Sequence, residues 1–227
     1  MKKYELTDTT KIAQDGTVLH QIRYLIDIGD HAISAGDLGG FIEAEKNLSQ
    51  EGNASVSGDA RVSGNARVFG NAMVFGNARV FGNARVSGNA MVFGDASVFG
   101  NASVSGDARV SGNARVSGNA RVSGNARVFG NARVSGNARV SGNADYYCAF
   151  PAGSRNGVVT FYRTDNGIYV CCGCFKGTID EFAAAIEKTH GNNGFGKEYR
   201  LQIEIAKLRI KQKGGTDGNE GKTEIDG

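Results

Sequence analysis

From Gly52 to Ser141 the chain repeats a six-residue unit, Gly-Asn-Ala-Arg-Val-Ser/Phe, fifteen times without an insertion. A sixteenth copy starts at Gly142 and breaks at Asp145. Gly stands first and Ala third in all sixteen copies, and Val stands fifth in every complete copy, from Val56 to Val140. The second residue is Asn in thirteen copies and Asp in three (Asp59, Asp95 and Asp107). A period this strict is read before any local propensity, because the unit that repeats is the unit that folds. Ala-Arg-Val-Ser alternates small, polar, apolar, polar, so Ala and Val share one strand face and Arg shares the other with Ser or Phe. Gly-Asn and Gly-Asp are corner dipeptides that tolerate positive φ. Each hexad is then one short strand and one corner. A strand so short cannot bury its Val alone, whereas coiling the chain stacks Val on Val and Ala on Ala at about 4.8 Å per layer. Three hexads per turn predict a triangular prism with an 18-residue coil. Fifteen hexads predict five coils, a rod about 24 Å long at that spacing.

Composition excludes several alternatives. There are 34 Gly but one Pro, Pro151, and no Trp, which rules out collagen and Pro-rich linkers. An apolar share of 40% argues against disorder over most of the chain. No apolar run has the length of a membrane-spanning helix, and Met1 to Asp8 lacks the apolar core of a secretory signal. A cytoplasmic protein without membrane contact is the expectation. The modest net charge of +3 hides an asymmetry: residues 1–51 carry 5 basic and 9 acidic side chains, whereas residues 52–144 carry 10 Arg, no Lys and 3 Asp.

The spacing of an aliphatic residue followed four positions later by a small one, Val56…Ala60 and Val62…Ala66 onwards, resembles the hexapeptide-repeat, left-handed β-helix superfamily. The resemblance covers about 90 residues. It implies left-handed coils and, commonly, trimers. The chain departs from the pattern after Val, where it has Ser or Phe. A right-handed triangular solenoid, as in bactofilin-like filament proteins, is the alternative. The leader, with Gly39-Gly40-Phe41-Ile42 and Asn47-Leu48-Ser49-Gln50, resembles uncharacterised bacterial and phage hexapeptide-repeat proteins called transferases by analogy. That implies a phage or mobile-element accessory protein.

The fold expectation is therefore mainly β. Residues 1–39 form a β-rich N-terminal cap, with strands in residues 3–28 such as His20 to Ile28. Residues 40–147 form the solenoid, opening with an irregular first coil whose hexad phase runs Gly40, Lys46, Gly52. Residues 148–212 form a small ββαα module: strands Val158 to Arg163 and Ile168 to Cys172 around a hairpin at Thr164-Asp165-Asn166-Gly167. A first helix then opens on the capping box Thr178-x-x-Glu181, carries Phe182, Ala185 and Ile186, and stops at His190-Gly191. A second spans Lys197 to Lys211 with Leu201, Ile205 and Leu208 on one face, an apolar stripe of the kind that faces a core. Residues 213–227 are Gly- and charge-rich and read as a disordered tail.

The resembled acyltransferases use a His in or beside a coil as general base and bind coenzyme A, and the carbonic anhydrases on that fold need three coil histidines. Here His20, His31 and His190 all lie outside the repeats, so no catalytic residue, no cofactor and no enzyme activity are assigned. A zinc site prefers two C-x₂₋₄-C knuckles. Cys148, Cys171, Cys172 and Cys174 offer one cluster and one distant partner, and are read as reduced thiols on opposite faces of a strand, with no metal.

The outward residues carry what function is legible. Arg61, Arg79, Arg115 and Arg133 fall in one column, and Arg67, Arg85, Arg121 and Arg139 in another. Like charges one layer apart suit a polyanion such as nucleic acid, or simply keep a rod in solution. Met73, Phe75, Met91 and Phe93, with Phe81 and Phe99, fall in two adjacent layers. They are read as an exposed apolar patch that docks a protein partner or a further copy in a dimer or trimer, the alternative being that a terminal module folds back over it. A non-enzymatic β-solenoid scaffold is the functional expectation, with nucleic-acid binding as the second reading.

Overall fold

The computed structural model describes residues 1–210; the tail expected at 213–227 and the last residues assigned to the module lie outside that range. Fifteen two-residue strands, Ser55–Val56 through Arg139–Val140, recur every six residues, and each of the first twelve pairs in parallel with the strand eighteen residues on. They build three faces. Face one stacks Ser55, Met73, Met91, Arg109 and Arg127. Face two stacks Arg61, Arg79, Ser97, Arg115 and Arg133. Face three stacks Arg67, Arg85, Ser103, Arg121 and Arg139. Every repeat Val, and every Ala from Ala54 to Ala138, is at most 1% exposed. The alternation thus puts the aliphatic column inside and the arginines outside, as the period of two demands.

The corners explain the invariant Gly. From Gly52 to Gly136 each repeat Gly has φ between +58° and +72°, where a side chain is strained. Most also lie on the Gly of the next coil: a Cβ on Gly88 would stand 2.9 Å from Gly106 N. Beside them the Asn side chains form amide ladders. Asn65 donates to Asn83, Asn83 to Asn101, Asn101 to Asn119 and Asn119 to Asn137, at 3.2, 3.0, 3.1 and 3.3 Å.

A solenoid has polar ends. Each coil donates its N–H groups to the carbonyls of the next, as Arg61 N does to Ala78 O at 2.9 Å. The first coil therefore presents bare carbonyls and the last presents bare N–H groups, and buried backbone groups need partners. The N-terminal cap supplies donors on all three faces. On face one Lys3 Nζ donates to Ala54 O at 2.7 Å and Gly52 O at 3.2 Å, and Tyr24 Oη donates to Val56 O at 3.0 Å. On face two the backbone N–H of Phe41 donates to Ala60 O and that of Glu43 to Val62 O. On face three Asn47 Nδ2 donates to Ala66 O at 2.9 Å and Gly64 O at 3.1 Å. The C-terminal end is closed by acceptors: Asn143 Oδ1 for Arg127 N, Thr160 Oγ1 for Arg133 N, and Asp145 Oδ2 for Ser141 N.

The N-terminal cap is an antiparallel sheet of Tyr4–Ile12, Val18–Tyr24 and Leu38–Ile42. Leu38–Ile42 also pairs in parallel with Arg61–Val62, so the cap continues face two without a break at residue 39. Ile42 sits opposite Val62 and Leu48 opposite Val68. These twenty-residue offsets put the leader's phase at Leu38 and Ala44, two residues earlier than the Gly40 and Lys46 expected. The inserted pair is Gln50-Glu51. Gln50 uses the extra length to hold the first strand, accepting from Lys3 N at 2.8 Å and donating to Tyr4 O at 3.2 Å.

The C-terminal module has four strands where two were expected: Tyr146–Ala152, Gly157–Thr164, Gly167–Cys172 and Phe175–Thr178, in that spatial order. The first carries Pro151, which argues against a strand from sequence alone, yet it lies at the sheet edge, where Pro is tolerated. One sheet face lies on the rod's end, with Tyr162 and Cys171 buried in the rod's own core. The other carries the helices Ile179–His190 and Gly194–Arg209. The first helix keeps its capping box, Thr178 N donating to Glu181 Oε2 at 2.8 Å. The second helix corrects the expectation. Its buried stripe is Tyr199, Ile203 and Ala206, continued by Ile210, while Leu201 and Leu208 are 64% and 83% exposed. Two apolar stripes compete in this segment, and the one carrying Tyr199 wins because its ring meets Phe182 edge-on at 5.6 Å.

Candidate interaction surfaces

The strand ladder brings Met73, Phe75, Met91 and Phe93 together on face one. Met73 lies opposite Met91, and the rings of Phe75 and Phe93 stack 4.9 Å apart at an interplanar angle of 1°. Phe81 and Phe99 form a second stack of the same geometry on face two. The two stacks are not one patch. Around the coil between them come the corner pair Asn77–Asp95, hydrogen-bonded at 3.0 Å, and then Arg79 opposite Ser97. The six side chains thus divide into a four-residue strip and a separate two-ring strip. All six remain at least partly exposed. Neither terminal module folds over them: the C-terminal module bonds to the rod at Arg127, Arg133, Ser135, Arg139 and Ser141.

The arginine columns stand where the period put them, Arg61 opposite Arg79 and Arg115 opposite Arg133 on face two, Arg67 opposite Arg85 and Arg121 opposite Arg139 on face three. They differ in freedom. Arg139 is tied to Asp165 at 3.2 Å, whereas Arg67, Arg85, Arg115, Arg121 and Arg133 are exposed and form no ion pair among the described residues.

Cys171 and Cys172 point to opposite sides of their strand, into the rod core and toward the helices respectively. Burial pushes both thiols, and that of Cys148, above the usual range. Among the described residues no three His, Cys, Asp or Glu side chains group as a metal site would require. His31 comes closest to a general base beside a coil, with Nδ1 2.8 Å from Ser55 Oγ. Ser55 is 2% exposed, so a substrate has no access to it, and burial holds the His31 imidazole below its ordinary pKa.

One feature is invisible in the repeat alone. Where the C-terminal module meets face two there is a cleft of about 760 Å³, lined on the rod side by Arg115 and Arg133 and on the module side by Arg155, Phe150, Phe182 and Tyr199. A second cleft of about 740 Å³ lies by face three, between Arg121, Arg139, Arg163 and Asp165. Only docking of the module creates them. The sole hint in the sequence is Arg155 in the turn after the first module strand.

A family model described as YdcK beta solenoid repeat matches residues 60–74, 66–82, 84–100, 108–122, 120–134 and 132–144. No curated protein matches the chain. The matched segments all fall within the rod, and the chain is a β-solenoid repeat protein. No helix among the described residues is long and apolar enough to cross a membrane.

Proposed function

We propose that the protein is a non-enzymatic scaffold whose rod associates with another copy of the chain, as a dimer or trimer, through the Met73, Phe75, Met91 and Phe93 strip. The carrying observation is that strip. In two adjacent layers of face one Met occupies the position that holds Arg in the two layers beyond, and stacked Phe rings flank it. Met and aromatic side chains are what interface cores enrich, and the terminal modules cover the rod's ends while leaving this strip on its side partly exposed. Kinship with left-handed hexapeptide-repeat proteins, a phage accessory role and a cytoplasmic location belong to the same proposal; the first rests on the Val…Ala spacing. Light scattering over a range of concentrations tests the reading. Wild type should form a defined oligomer, and Phe75→Ser with Phe93→Ser should leave a folded monomer. A wild type that stays monomeric, or an oligomer indifferent to both changes, overturns it.

A second reading is favoured by one other observation. From Ala108 to Ala144 the chain carries six Arg and no acidic residue, so the last two coils present positive charge on all three faces. A polyanion would bind there with affinity falling steeply as salt rises.

A further inference from the structure

The geometry points to an unassigned binding site in the cleft between face two and the C-terminal module, and we propose that it takes a small organic phosphate bearing a flat ring, of the nucleotide class. Two walls of different chemistry carry this. The first is basic. Arg115 and Arg133 stand in register one layer apart, and Arg155 faces the same space from the module. Among the described residues no Asp or Glu lines the cleft, and none of the three arginines has a carboxylate within ion-pair distance. A β ladder sets the two backbones about 5 Å apart, so like charges on Arg115 and Arg133 share one stretch of surface, and an anion between them offsets their repulsion. Their planar forks suit phosphate oxygens.

The neighbouring cleft shows the contrast. There Arg139 is paired with Asp165 at 3.2 Å and Arg163 with Asp145 at 2.9 Å. Two of the three arginines lining that space thus hold counter-ions and tie the module to the rod, and only Arg121 is unpaired among the described residues.

The second wall is aromatic. Phe150, 62% exposed, lines the cleft, as do Phe175, Phe182 and Tyr199, which pack ring against ring. Burial pushes the Tyr199 hydroxyl up to about 12 and raises the Cys172 thiol, so neither of these two groups brings a negative charge to the cleft near pH 7. The turn that carries Arg155 is seated firmly. Gly153 N donates to Glu198 Oε1 at 3.0 Å, and Gly153, at φ +66°, leaves no room for a Cβ against the Tyr199 ring. A cleft of about 760 Å³ falls within the usual range for small-molecule sites. Inorganic phosphate would use only the basic wall and an apolar molecule only the aromatic one; a ring joined to a phosphate uses both.

The test is a titration of the full chain with a fluorescent-ring ATP analogue, tripolyphosphate and adenosine. The analogue should bind at least tenfold more tightly than either half. Arg133→Gln and Arg155→Gln should each weaken it about tenfold. Phe150→Ala should weaken the analogue and leave tripolyphosphate unchanged. Arg61→Gln, at the far end of the rod, should change nothing. Circular dichroism establishes that each variant is folded, and light scattering separates this site from the oligomer contact, which lies on other coils. Equal binding of the analogue and tripolyphosphate, equal losses in Arg61→Gln, or no binding by folded wild type overturns the proposal. A short oligonucleotide that binds far more tightly than the analogue and is weakened equally by Arg61→Gln overturns it in favour of a polyanion track.

Discussion

Lys3 Nζ donates to Ala54 O at 2.7 Å from a side chain that is 1% exposed. It closes the carbonyl edge of face one, where no further strand exists to do so. Burial lowers its pKa to about 8 from 10.5. A neutral amine retains two N–H donors, enough for both Ala54 O and Gly52 O. Between those two pKa values the unfolded chain holds the lysine proton and the folded chain does not, so raising the pH through this window favours folding. The gain is on the order of 3 kcal/mol. Tyrosines oppose it higher up: Tyr24, Tyr146, Tyr162 and Tyr199 are raised to about 12, and the unfolded chain ionises its tyrosines first, near pH 10. Urea melts should therefore show stability rising from pH 8 to a maximum below pH 10.5. The rise should vanish in Lys3→Met. An identical pH profile in that variant would remove Lys3 as its source.

Corner glycines should differ by position. Gly88→Ala meets both a φ of +66° and backbone 2.9 Å from the new Cβ, whereas Gly130→Ala meets the same φ with open space beyond it. The second should cost about 1–2 kcal/mol, the left-handed penalty alone, and the first clearly more. Paired thermal melts read the difference, and equal losses would mean that coil-to-coil contact does not constrain the corner.

Asp95 accepts from Asn77 at 3.0 Å, while Asn113 donates to Asn131 at 3.2 Å. A carboxylate has no hydrogen to donate onward, so the ladder is broken between Asp95 and Asn113. Asp95→Asn should join the two halves and raise stability by about 0.5–1 kcal/mol. A lower melting temperature would show that the ladder is not limiting there.

Asp145 closes the opposite end. It accepts from Ser141 N at 2.6 Å and Gly142 N at 3.0 Å, and pairs with Arg163 at 2.9 Å. Asp145→Ala strands two N–H groups and a half-buried guanidinium, and should cost about 2–4 kcal/mol. Amide exchange should accelerate first in the last coil. Uniform acceleration along the rod would contradict a local end-closing role.

The rod itself was legible from residue order alone. Gly first, Ala third and Val fifth, repeated without a slip, permit one packed solution, because side-chain alternation is a local property of an extended chain and stacking is its only means of burial. The two apolar strips were half legible. The hexad count named the six residues, but Asn77 and Arg79 separate them only once the prism has corners. The closing of the ends was hidden. Nothing in the order of residues marks Lys3, Gln50 or Thr160 as an end-closing group; each becomes a partner of backbone groups dozens of positions away only when the coil places them together. The cleft of Arg115, Arg133 and Arg155 exists for the same reason. Periodicity determines what each coil looks like, while the ends, the helix face bearing Tyr199 and the space between rod and module depend on which distant surfaces meet. That is decided by competition among tertiary contacts, which carries no signature in any single stretch of chain.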